Sequence, residues 1–61
     1  MRAEDMIAVA GYLRRKVIRI RNMEWPAEDR KAVYEKTNNL IDAAHALELA
    51  AVREKDELKT E

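Results

Sequence analysis

The sequence has 61 residues, 48% hydrophobic and 39% charged, with 12 basic and 12 acidic side chains, one His, one Gly, one Pro and no Cys. That composition excludes disulfides and thiolate metal sites, a disordered chain and a membrane span, for which about 18 consecutive apolar residues are needed. A chain this short forms one domain at most and buries only about 60% of its unfolded surface, so oligomerisation is the expected source of extra stability.

Residues 3–23 read as helix 1. Glu4 and Asp5 stand in its first turn, and Arg19 and Arg21 in its last. Both placements match the helix dipole. Met6, Ala10, Leu13, Val17 and Ile20 step by four and three, which makes one apolar seam widened by Val9. Ile7 and Ile18 lie together off that seam, near Arg14 and Arg21, and suggest a second interface. Gly11 sits mid-helix, where it costs about 1 kcal/mol relative to Ala. A close helix crossing is one reason for a Gly there, and simple tolerance is another.

Residues 24–26 read as the turn. Trp25 precedes Pro26 and is pushed out of the helical region, while Pro26 suits the start of a new helix. So short a turn makes the flanking helices antiparallel neighbours.

Residues 27–58 read as helix 2, with Glu28 and Asp29 in its first turn. Val33, Thr37, Leu40, Ala44, Leu47, Ala51, Glu54 and Leu58 continue the four-three stepping, with Glu54 the discordant member. Leu40 and Leu47 are expected in the seam against helix 1. Thr37, Asn38 and Asn39 are indifferent helix formers in succession, so a kink or break is possible there. The last three or four residues are expected to fray. Around Leu40–Val52 the apolar residues spread over three sides. Ile41 and Val52 flank the seam with His45 beside them, and Ala43, Ala46 and Ala50 lie on the other flank. A helix this broadly apolar needs more than one neighbour. The expected fold is therefore all-α: an antiparallel two-helix hairpin that self-associates, as a homodimeric four-helix bundle, with Ile41, Val52, Tyr34 and His45 at the dimer interface.

Residues 1–23 carry six basic and two acidic side chains, net +4, and residues 24–61 carry six basic and ten acidic ones, net −4. Two antiparallel helices of opposite charge attract each other, and a basic surface also suits an acidic partner. Arg15 and Arg19 share the outward face of helix 1 with Tyr12, a pattern able to stack a base and hold phosphates. Zero net charge weighs against a strong nucleic-acid binder. Trp25 at the hairpin tip is either an interface anchor or a lid over the end of a small bundle.

Asp42, His45 and Glu48 are spaced by three along helix 2. A bundle metal site needs further ligands from other helices, so the expectation is a half-exposed His among ordinary ion pairs and no metal. There is no Ser or Cys nucleophile and no glycine-rich phosphate loop. Neither catalytic residues nor a cofactor is expected. The N-terminus has no signal-peptide core, which makes the cytoplasm the expected compartment.

In length and seam pattern the chain resembles the Rop family of plasmid copy-number regulators, although no individual residues match. Those are helical hairpins that dimerise into four-helix bundles and bind paired RNA loops. Other small helical hairpins from phages and plasmids inhibit host proteins. The resemblance implies only that such a hairpin can be a complete regulator. The expected function is that of a non-catalytic regulator, adaptor or inhibitor that binds a protein partner, with Trp25, Ile7, Ile18, Tyr12, Arg15 and Arg19 as contact residues. The alternative is a nucleic-acid-binding regulator that uses the basic face of helix 1.

Overall fold

The computed structural model describes the backbone of residues 1–59 and the side chains of residues 1–56. It is all-helical. Helix α1 runs Ala3–Asn22, a connection of four residues follows, and α2 runs Ala27–Lys59. The two helices pack against each other as a hairpin, in a rod of 53 × 15 × 13 Å. No helix among the described residues is long and apolar enough to cross a membrane.

The helix ends follow from local chemistry. Arg2 caps α1 in an extended conformation without a side-chain cap, and its carbonyl accepts from Met6 N–H at 3.0 Å. Glu4 and Asp5 supply the negative charge that the first turn favours. At the other end Met23 is extended, and its N–H donates to the Ile20 carbonyl at 3.2 Å. That carbonyl also accepts the indole Nε1–H of Trp25 at 2.7 Å. A C=O group left over at a helix end is thus satisfied from within the connection. Pro26 ends the connection, and its carbonyl accepts from Asp29 N–H at 2.9 Å.

α2 is continuous through Thr37, Asn38 and Asn39. Thr37 fits because its hydroxyl donates to the Val33 carbonyl at 2.8 Å, one turn back. This local bond is compatible with a helix. The side chain of Leu58, and residues 60–61, on which the expected fraying fell, lie outside the described residues.

The line of closest helix contact is one half of the expected seam, extended by Ala3. The buried residues are Ala3, Ala10 and Val17 on α1, and Thr37, Ala44 and Ala51 on α2. Each set recurs at seven-residue intervals, which keeps it on one face of its helix. All six are small or β-branched, so the helices approach closely. The larger seam residues cannot fit between them. Met6, Leu13, Ile20, Val33, Leu40 and Leu47 are pushed to one flank and end half-buried. Leu40 and Leu47 therefore border the contact line rather than fill it. Glu54 continues the same flank and is also half-buried.

Gly11 marks no close crossing. An added Cβ would meet only the guanidinium of Arg15, at 3.3 Å, the mobile end of a neighbouring side chain on the same helix.

Candidate functional site

The antiparallel packing gives the hairpin two broad faces. The first may be called the aliphatic face. It carries the half-buried row of Met6, Leu13 and Ile20 from α1 beside Val33, Leu40 and Leu47 from α2. Ile20, Val33 and Leu40 meet there with Trp25 and Lys36 around a groove of about 320 Å³. Trp25 is half-buried, with its indole N–H tied to the Ile20 carbonyl.

The second, arginine-laced face collects residues that the sequence reading had divided between two roles. Ile7 and Ile18 were assigned to partner binding, and Ile41, His45, Val52 and Tyr34 to the dimer. Helical spacing places all six on this one side. Ile18 is 60% exposed, Val52 55% and Tyr34 51%, so much of each side chain is left uncovered by the hairpin. Ile18 and Ile41 share a groove of about 370 Å³ with Arg14, Val17 and Arg21.

Fixed charges cross this second face. Arg14 Nε donates to Glu48 Oε2 at 3.2 Å, and a second guanidinium N–H donates to Oε1, giving a bidentate bridge between the helices. The hydrogen bonds from Arg14 hold the Glu48 carboxyl below its usual range, and the same bonds raise the guanidinium of Arg14. Nearer the tip, Arg21 Nε donates to Thr37 Oγ1 and a terminal N–H to Asn38 Oδ1, each at 2.8 Å. The guanidinium also lies 4.6 Å from the centre of the Tyr34 ring, within cation–π range. Both bridges join residues far apart in sequence, and only the heptad register could have hinted at them.

Tyr12, Arg15 and Arg19 stay on the outward side of α1. With Lys16, Ile20 and Met23 they border a shallow depression of about 170 Å³. Among the described residues, no group of three or more His, Asp or Glu is placed to hold a metal ion. Glu48, one of the three acidic or imidazole residues considered for such a site, is engaged by Arg14 instead.

The sequence reading treated the aliphatic row as an internal seam and so missed it as a surface. The signal that separates the two was present: Ala3 and Ala10, and Ala44 and Ala51, mark the contact line three or four positions from the large aliphatic residues of the same stripe. No protein-family model matches the chain, no curated protein matches it significantly, and no solved structure matches its fold significantly.

Proposed function

We propose that this chain is a small non-catalytic binding protein, a regulator, adaptor or inhibitor, that acts as a homodimeric four-helix bundle and docks a protein partner. The observation that carries the reading is its surface. Ile7, Ile18, Tyr34 and Val52 stay 46–60% exposed on one face, and Met6, Leu13, Ile20, Val33, Leu40 and Leu47 are only half-buried on the other. Contiguous apolar surface of this kind marks an interaction site. One apolar face serves self-association, and the other remains for the partner. The arginine-laced face suits the partner. Ile18 supplies an exposed apolar anchor, and Arg14 and Arg21 rim it with donors already held in place.

The test begins with cross-linking in the source cells and identification of the bound protein. The purified partner is then titrated with wild type, Ile18→Glu and the Arg15→Ala/Arg19→Ala double variant, all checked for helicity. Ile18→Glu is expected to weaken binding at least tenfold, which is about 1.4 kcal/mol. The double arginine variant should change mainly the on-rate. Unchanged binding by Ile18→Glu contradicts the assignment of this face.

A second reading is favoured by one arrangement. Tyr12, Arg15, Lys16 and Arg19 border a single depression, as a base-stacking and phosphate-holding site requires. It predicts RNA or DNA binding that falls with salt, with a slope near −0.7 to −0.9 per neutralised phosphate, and that the double arginine variant abolishes. That result would replace the protein-binding reading.

A further inference from the structure

We propose that the second copy docks on the aliphatic face with its α2 lying antiparallel along this α2, so that the two connections sit at opposite ends of the bundle. This rests on the self-association reading above and specifies its geometry.

The choice of face follows from charge. A two-fold interface packs a face on itself, so self-association through the arginine-laced face would set the fixed cations Arg14 and Arg21 against the same cations of the second copy, a juxtaposition that a partner of complementary charge avoids. Among the described residues, no ion pair crosses the aliphatic face. Its large side chains have already lost part of their area to the hairpin and offer the remainder on one side. Completing their burial removes apolar surface from water at little polar cost.

The choice of direction follows from length. α1 has 20 residues and α2 has 33. Ile20, near the end of α1, meets Val33 and Lys36 of α2 around one groove, so α1 ends about level with them and the first turn of α2, residues 27–31, extends past it. If both connections lay at one end, each α2 would rest on the shorter α1 of the other copy, and that first turn would face no helix. Turned end for end, α2 rests on α2 along its whole length. The row Val33, Leu40, Leu47 and Glu54, evenly spaced by seven, then folds onto its own symmetry mate. Leu40 meets the second copy's Leu47. Lys36 comes within about one helical turn of the second copy's Glu54, and the pair occurs twice by symmetry. Lys16 stays at the solvent edge, where its long stem keeps the ammonium in water. Opposite charges at the two ends of the row favour this direction.

The chain has no Cys, so a single nitroxide can be placed through Glu28→Cys on the exposed first turn of α2. Pulsed electron paramagnetic resonance on the dimer is expected to give a label separation of about 45 Å, from 1.5 Å per residue on either side of the row's midpoint. Connections at one end would give roughly 15–30 Å, set by the distance between neighbouring or diagonal helices. Sedimentation equilibrium is run on the same labelled sample. A dimer with the short distance overturns the arrangement and leaves self-association standing, whereas a monomer overturns both. A charge reversal identifies the face. Lys36→Glu is expected to weaken the dimer roughly threefold to tenfold, and adding Glu54→Lys to restore it. A dimer indifferent to both changes overturns the assignment of the aliphatic face.

Discussion

Arg21 reaches across the hairpin and donates its Nε–H to the buried hydroxyl of Thr37 at 2.8 Å, sixteen residues away in sequence. Thr37 is 1% exposed and is the one buried polar residue among those described. Its hydroxyl accepts from Arg21 while donating back to Val33, so nothing is left unpaired. The bond ties Arg21, in the last turn of α1, to the tip end of the contact line and helps fix the register of the two helices.

Thr37→Val keeps the side chain's shape and removes this acceptor. Arg21 is only half-buried, so water can take up its freed N–H. The expected loss of stability is about 1 kcal/mol, read from urea melts at fixed protein concentration. A variant as stable as wild type would show that the bond carries no net stability.

The Arg14–Glu48 bridge predicts a pH dependence of known sign. The Glu48 carboxyl is held below its ordinary value, chiefly by the hydrogen bonds from Arg14. A carboxyl depressed in the folded state contributes stability above its unfolded pKa and loses it as pH falls through the folded value. Wild type should therefore be more stable than Glu48→Gln at pH 7. The difference should vanish once the pH is below the usual carboxylate range. Thermal melts of both proteins from pH 7 to pH 2 check this, and a gap that widens in acid contradicts it.

Gly11 is helical and has open space apart from the Arg15 side chain. Gly11→Ala should raise stability by up to about 1 kcal/mol through helix propensity and a less flexible unfolded chain. For a domain of this size that corresponds to roughly 4–8 °C in Tm. A lower Tm would show that the site needs glycine for close packing with a second molecule.

Trp25 combines half-buried packing with a bond from its Nε1–H to Ile20. Trp25→Phe keeps most of the packing and should cost about 1 kcal/mol for the lost bond. Trp25→Ala removes both and should cost clearly more, about 2–3 kcal/mol, below the range for a fully buried Trp. Equal melting of the two variants would mean that the ring adds nothing beyond its hydrogen bond.

The hairpin was legible because its signals are local. Pro26 after Trp25, acid in both first turns and the four-three stepping of apolar residues each act within a few positions. The contact line was harder to read, since Ala10 and Leu13 both belong to the apolar stripe, and only steric fit decides which lies between the helices. The continuity of α2 at Thr37 depended on a hydroxyl that bonds both its own helix and Arg21, a tertiary relation invisible to propensity. Ile7, Ile18, Ile41 and Val52 were recognised as lying off the seam. That they share one face follows from the antiparallel pairing, which brings the corresponding flanks of α1 and α2 to the same side.

The central claim is that the apolar surface this hairpin leaves exposed is covered by a second copy. Sedimentation equilibrium of the wild-type chain at micromolar concentration, with helicity followed by circular dichroism, tests it most directly. The account predicts a species of twice the 7.1 kDa chain mass, whose melting temperature rises with protein concentration. A fully helical species of 7.1 kDa that melts cooperatively and independently of concentration would contradict it.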